Sequence, residues 1–383
     1  MKIQTLNKIS PVGLKRLGAD YVVGDNVEAA DAILVRSAVM HDMTFDPALK
    51  AIARAGAGVN NIPVDRCADE GIVVFNTPGA NANGVKELTV CALLLASRDI
   101  TAGAAWAATL TGDVAKQVEK GKSQFAGYEI AGKTLGVVGL GAIGGMVANT
   151  ALALGMNVIG CDPFLSVDAA WHMSPAVQKV ASYDEIFEKA DYITLHVPAT
   201  PQTTKMINAE SIAKMKDGVR IVNLARADLV DAAALKEALA AGKVARYVTD
   251  FPTDEVVNVP NIIAIPHLGA STEEAEDNCA AMAADELVAY LEKGNIRNSV
   301  NYPNLFMPCG AAHKVLVLHK NAPNAIASIT GVFGKDNINI ENMVNASKKD
   351  YAATAVETNA VVSDAFLADI KALDGVIRVI NVY

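Results

Sequence analysis

The chain has 383 residues, 51% of them hydrophobic and 20% charged, which is enough apolar material for two or three packed domains and excludes a mainly disordered chain. With 33 Lys and Arg against 42 Asp and Glu the formal charge is −9, which argues against nucleic acid and anionic membranes as main partners. The N-terminal MKIQTLNKIS lacks a signal-peptide core, and apolar runs such as Val90–Ala96 are too short to cross a bilayer, so a cytoplasmic protein is expected.

In chain order, short apolar strands are expected at Ala32–Val35, Val73–Phe75, Thr134–Val138, Asn157–Cys161, Tyr192–His196, Arg220–Asn223 and Ile262–Ile265. Ala-rich helical segments separate many of them. That alternation predicts an α/β fold with parallel sheets covered on both faces. Two long helices, Val85–Ala107 and Thr272–Lys293, flank the middle block and are expected to carry the chain to a second domain and back. The Asn- and Pro-rich stretch Asn295–Gly310 reads as a linker, bounded at 299–311 between the flanking domains. Beyond it, a strand at Val315–Leu318, a helix at Asn324–Phe333, strands at Asn337–Met343 and Tyr351–Glu357, a helix at Ser363–Leu373 and a strand at Val376–Val382 make a ferredoxin-like βαββαβ module. The five cysteines (Cys67, Cys91, Cys161, Cys279, Cys309) show no metal-ligand spacing. They read as buried, reduced thiols, and no metal is expected.

Residues 135–145, LGVVGLGAIGG, place Gly139, Gly141 and Gly144 in a GxGxxG pattern between a strand and a helix, with Ala142 and Ile143 completing the turn. The first glycine permits the tight turn, the second lets backbone approach a pyrophosphate, and the third lets helix and strand pack closely. The helix N-terminus then faces phosphates. Asp162 lies 18 residues past Gly144 at the end of the next strand, where a carboxylate can bond both ribose hydroxyls and would repel a 2′-phosphate. NAD is therefore the expected cofactor. Two doubly wound, Rossmann-like domains follow: 1–98 as a substrate-binding lid, and 99–268 for the dinucleotide. A return helix occupies 269–298 and the C-terminal module 312–383.

Three further segments, NLARADLVD (223–231), TDFPTDE (249–255) and PHLGAST (266–272), together with the glycine motif, resemble the D-isomer-specific 2-hydroxyacid dehydrogenases. The resemblance implies that His267 takes the hydroxyl proton while hydride leaves C2, that Glu255 pairs with the imidazolium, and that Arg226 clamps the substrate carboxylate. The acid is open between two positions: counting five from Asp250 selects Glu255, and aligning FPT selects Asp254. Ala227 stands where the family has Gly. Cofactor contacts implied by the same resemblance are His196, Val197, Pro198, Ala225, Asp250 and Gly269.

ILVRSAVM (33–40), RAGAGVNNIPVD (54–65) and NTPGAN (76–81) resemble the phosphoglycerate-oxidising branch of that family. This implies a phosphorylated 2-hydroxy acid held by Arg36, Ser37, Ala57, Gly58 and Asn81. HKNAPN (319–324) and NIN (337–339) make the last module resemble an ACT domain. That resemblance implies L-serine as effector, held by His319, Asn321 and Asn339, with Asn324 replacing the usual Gly. The expected function is NAD-dependent oxidation of 3-phospho-D-glycerate in serine biosynthesis, by a homodimer or homotetramer. A dehydrogenase of another small 2-hydroxy acid, or a non-catalytic NAD(H) sensor on the same core, remains the alternative.

Overall fold

Short β-branched and aliphatic runs form the strands of the computed structural model, which describes residues 1–383 apart from the side chain of Asp168. The first sheet contains β1 (Lys2–Leu6), β2 (Val22–Gly24), β3 (Ala32–Val35), β4 (Ala51–Arg54) and β5 (Val73–Phe75), in the order β2-β1-β3-β4-β5. All of its pairings are parallel. The second contains β6 (Thr134–Val138), β7 (Asn157–Cys161), β8 (Gln178–Lys179), β9 (Tyr192–Leu195), β10 (Val219–Asn223), β11 (Val244–Thr249) and β12 (Ile262–Ala264). It is also parallel throughout, in the order β12-β11-β10-β9-β6-β7-β8. The third contains β13 (His313–Lys320), β14 (Asn342–Lys348), β15 (Tyr351–Thr358) and β16 (Val376–Asn381). It is antiparallel in the order β14-β15-β13-β16, with the Ala325–Lys335 and Asp364–Lys371 helices completing βαββαβ. The α/β class, the two doubly wound sheets and the ferredoxin-like module agree with the sequence reading.

The chain divides into two compact units, Met1–Asn81 with Glu273–Tyr383, and Ala82–Thr272. The expected single helix Val85–Ala107 is two helices, Ala82–Ser97 and Ile100–Ala107, bent by 75°. The break is held by polar anchors that a hydropathy pattern does not show. The buried Ser97 hydroxyl donates to the Leu93 carbonyl and lies 2.8 Å from the Tyr192 hydroxyl, and Arg246 Nη1 donates to Asp99 Oδ1 at 2.9 Å. The first of these helices packs within the second unit, against Ala142–Ala153 and β10, so that unit opens at Ala82 and not at 99. Among the described residues no single helix is long and apolar enough to cross a membrane.

In the first unit, the long Glu273–Lys293 helix buries Cys279, Ala280, Ala283, Ala284 and Leu287 against β3 and β4. It stops at Gly294, whose φ of +64° costs little without a Cβ. The stretch expected as a linker is packed. Val300 N–H donates to the Val74 carbonyl, Asn301 bonds both Val74 N–H and the Ile72 carbonyl, and buried Tyr302 donates its hydroxyl to the Ala68 carbonyl at 2.7 Å. The Asn301 side chain satisfies the open edge of β5 and the Tyr302 hydroxyl a carbonyl of the Val64–Asp69 helix, which composition alone reads as loop chemistry.

The C-terminal sheet is covered on both faces. Val315, Val317 and Val356 face Ile329, Phe333, Phe366 and Ile370 of its own helices, whereas Leu316, Leu318, Ala353 and Ala355 share a core with Phe75, Tyr290 and Tyr302. The strand expected at Asn337–Met343 lies five residues later, because Asn337 (φ +56°) turns the chain and the alternating MVNASK segment forms the sheet edge. Of the cysteines, Cys67, Cys161 and Cys279 are buried, but Cys91 and Cys309 are exposed.

Candidate active site

In a parallel sheet every strand ends on the same edge, and ligands gather there. In the second unit, Gly139 follows β6, Asp162 follows β7, His196 follows β9, Arg226 lies three residues past β10, Asp250 follows β11 and His267 lies three past β12. Residues up to 128 positions apart in sequence therefore share one sheet edge.

The glycine turn has the expected geometry. A Cβ on Gly139 (φ +88°) would sit 2.6 Å from the His196 carbonyl oxygen, and one on Gly144 would sit 1.9 Å from that of Gly139. Gly141 has open space where its Cβ would stand, which leaves room for a ligand's phosphates beside the N-terminus of the Ala142–Ala153 helix, where Ile143 is partly buried. Asp162 is held by two backbone donors, Leu140 N–H on Oδ2 and Phe164 N–H on Oδ1, both at 2.8 Å. Its carboxylate keeps further lone pairs for ribose hydroxyls. Gly141, Ala142 and Asp162 line a cavity of about 710 Å³. Burial pushes the His196 pKa down to about 4, so its ring is neutral, with Nε2 3.0 Å from Thr194 Oγ1. Val197 is partly buried and Pro198 exposed just beyond it.

Asp250 is the buried charge of this edge. Its Oδ2 accepts from Gly269 N–H at 3.1 Å, while its Oδ1, also buried, has no partner among the described residues. Burial raises its pKa; the Gly269 bond and the charges of His267 and Arg226 oppose the rise. An unpaired buried acceptor costs free energy unless a ligand supplies a donor. A nicotinamide carboxamide N–H has the required chemistry. This orphaned oxygen and the open space at Gly141 fit the residues to NAD.

His267 has φ +34°, an uncommon conformation for a side-chain-bearing residue, held by its N–H donating to the carbonyls of Asp250 (2.9 Å) and Ile265 (3.1 Å). Its ring tilts against Phe251, centroids 4.6 Å apart, and the Arg226 guanidinium carbon lies 5.8 Å from the same Phe251 ring. Phe251 thus joins the two polar residues, a role with no sequence signal beyond its place after Asp250. Buried Asn223 also escaped the sequence reading. Its Oδ1 accepts from the N–H groups of Ala225 (3.1 Å) and Arg226 (3.3 Å), and its Nδ2 donates to the Arg226 carbonyl at 2.8 Å. The Asn of N-x-A-R therefore shapes the turn that presents Arg226. Ala227 has no positive φ, so the missing glycine leaves no backbone strain there.

Glu255 is exposed and lines a cavity of about 320 Å³ with Asp228 and Phe251; Asp254 is exposed beside it. Among the described residues neither carboxylate contacts the His267 ring. Nor, among the described residues, is any group of three or more His, Cys, Asp or Glu placed to hold a metal.

In the first unit, Arg36 and Ser37 follow β3, Ala57 and Gly58 follow β4, and Asn81 lies six residues past β5, again at carboxyl ends of adjacent strands. Arg36 Nη2 is 2.5 Å from Glu276 Oε1, Ser37 N–H donates to Asn7 Oδ1, and the Ala57 carbonyl accepts from Asn76. Arg36 would have to exchange Glu276 for a substrate anion.

Each of the expected effector residues makes hydrogen bonds within the C-terminal module. His319 is buried, with Nδ1 2.8 Å from the Lys320 carbonyl and Nε2 2.9 Å from Thr354 Oγ1, so neither ring nitrogen is free. Asn321 donates to the Lys349 carbonyl and Asn339 to Glu341. Asn324 has φ +63° at the start of its helix, which explains why Gly is usual there and why Asn, tolerant of that region, can replace it.

Residues 90–269 match the family described as D-isomer specific 2-hydroxyacid dehydrogenase, NAD binding domain. The chain is 40% identical over 290 residues to the D-3-phosphoglycerate dehydrogenase of Methanocaldococcus jannaschii, covering 73% of this chain and 53% of that protein. It is 38% identical over 291 residues to the enzyme of the same name from Bacillus subtilis, covering 73% and 53%. It thus spans about half the length of these curated relatives. Among solved structures, NAD+-bound 3-phosphoglycerate dehydrogenase from Entamoeba histolytica aligns with TM-score 0.60 and 28% identity over 80% of this chain and 99% of that one. The TT0316 protein of Thermus thermophilus aligns with TM-score 0.62 and 27% identity over 78% and 100%.

Proposed function

Through its NAD-binding domain the chain belongs to the D-isomer-specific 2-hydroxyacid dehydrogenases, and on that premise we propose that it oxidises 3-phospho-D-glycerate to 3-phosphohydroxypyruvate. The observation that carries this reading is the shared edge of Arg226, Asp250 and His267, with Asp250 Oδ1 buried and unpaired. NAD, when bound, supplies the hydride acceptor. Asp250 Oδ1 holds its carboxamide and Asp162 its ribose. Arg226 binds the substrate carboxylate through two parallel N–H donors and fixes C2. His267 takes the C2 hydroxyl proton as C2 loses hydride, so the alcohol's two hydrogens leave as one proton and one hydride. Glu255 is the carboxylate that steadies the resulting imidazolium, in a contact made with substrate present. Arg36, released from Glu276, pairs with the C3 phosphate, with Ser37, Gly58 and Asn81 beside it.

The finer parts of the proposal are a cytoplasmic homo-oligomer and feedback by L-serine. The Ile100–Ala107 helix, apolar yet with no buried residue, supports association of copies. The βαββαβ module and the exposed Asn321 and Asn339 support serine binding, and His319 would have to exchange an internal bond for the ligand. The deciding experiment is the initial rate of NADH formation with 3-phosphoglycerate against D-glycerate at equal concentration. A rate only with the phosphorylated acid supports the assignment. No rate with either leaves another hydroxy acid or a non-catalytic NAD(H) sensor.

A further inference from the structure

Two cations of the C-terminal module have no carboxylate partner among the described residues. Lys371, ending the Asp364–Lys371 helix, donates to the Ile377 carbonyl. Arg378, on β16, donates to the carbonyls of Leu49, Pro47 (3.3 Å) and Glu70 (3.2 Å). Among the described residues neither forms an ion pair. Both line a cavity of about 620 Å³, together with Lys50, Glu70, Leu367 and Ala368. The other two charges are already compensated: Lys50 Nζ lies 2.8 Å from Asp31 and Glu70 lies 3.7 Å from Arg66.

The cavity thus holds two positive charges without counter-charge, flanked by apolar surface. The volume suits a small metabolite. Burial and then repulsion from Arg378 lower the Lys371 pKa, a cost that a bound anion would relieve. β16 is also an outer strand of its sheet, pairing only with β13, so its outer backbone groups are unused by any strand.

We propose that this cavity binds a small dianion, a phosphate ester or a dicarboxylate, between Lys371 and Arg378. Arg378 also grips the chain before β4 and the carbonyl end of the Val64–Asp69 helix. An anion there would therefore tie the C-terminal module to the start of β4, the strand whose far end leads to Ala57 and Gly58. Ligand state at the module would then bias the substrate edge, with a coupling set by differential affinity.

The test uses the full chain saturated with NADH, which fills the dinucleotide's own phosphate site. Methyl NMR signals of Leu367 and Ala368 are followed during titration with inorganic phosphate, and separately with succinate, against sodium chloride at equal ionic strength. The expected result is a saturable shift with at least one dianion, weakened tenfold or more in Lys371→Gln and restored in Lys371→Arg. A response to phosphate alone selects phosphate esters, and one to succinate alone selects dicarboxylates. No saturable shift beyond chloride, or the same titration in Lys371→Gln, overturns the proposal.

Discussion

Gly269 N–H donates to Asp250 Oδ2 at 3.1 Å and thereby fixes a buried carboxylate whose other oxygen has no partner among the described residues. The bond leaves Oδ1 as a preorganised acceptor. A Cβ on Gly269 would lie 3.1 Å from Asp250 Oδ2, so glycine keeps the two segments close enough for that bond.

Asp250→Asn should weaken NAD binding about tenfold, since an amide can keep the Gly269 bond but not two acceptor oxygens. Calorimetric titration with NAD reads this directly. Unchanged affinity would remove Asp250 from the cofactor contacts.

His267→Ala should abolish most turnover while NADH affinity stays near wild type, a loss of about 100-fold or more in kcat for a general base. Glu255→Gln and Asp254→Asn separate the two acids. A rate loss confined to Asp254→Asn would transfer the partner role to that residue.

Asp162→Ala should cost NAD affinity more than NADP affinity, because the carboxylate both accepts from the ribose and repels a 2′-phosphate. It also removes acceptors for Leu140 and Phe164 N–H. Melting temperature is measured alongside, and equal losses for both dinucleotides at unchanged melting would contradict the ribose role.

Glu286 provides a pH dependence of stability. It is 5% exposed on the Glu273–Lys293 helix, Oε1 accepts from Asn298 at 2.7 Å, and Oε2 has no partner among the described residues. Burial pushes its pKa up to about 8, well above the ordinary carboxylate value of 4.5. The native state therefore holds the proton more tightly than the unfolded chain. The stabilisation is complete below about pH 4.5 and is lost as pH rises through about 8. Denaturant unfolding at pH 5 and pH 8.5 should show Glu286→Gln losing less stability with rising pH than wild type, by on the order of a few kcal/mol. Parallel losses would refute the buried proton.

Leu318→Ala should cost about 2–5 kcal/mol, because Leu318 is fully buried in the core that the C-terminal sheet shares with Phe75, Tyr290 and Tyr302. A loss below about 1 kcal/mol, measured by denaturant unfolding, would show that this face contributes little.

Much of the candidate site was legible because its motifs are local. GxGxxG needs only a strand, a turn and a helix in succession, and N-x-A-R carries in Asn223 its own means of shaping the Arg226 turn. Long-range partnerships were not legible. Phe251 against His267, the internal bonding of His319 and the Glu276 pairing of Arg36 join residues whose proximity depends on strand order or helix return. The break at Arg98 and Asp99 was hidden for the same reason: its anchors, Tyr192 and Arg246, lie roughly a hundred residues away or more.

The sequence by itself determined the α/β class, the parallel strands, the βαββαβ ending and the dinucleotide turn, because hydrophobic period and glycine spacing act over a few residues. Only the tertiary structure decided that the Asn295–Gly310 stretch seals the edge of β5, that the C-terminal sheet buries both faces, and that Asp250 keeps an empty acceptor. Each of these depends on which backbone edges and polar atoms remain unsatisfied once the chain has packed, and that is a property of the assembled fold.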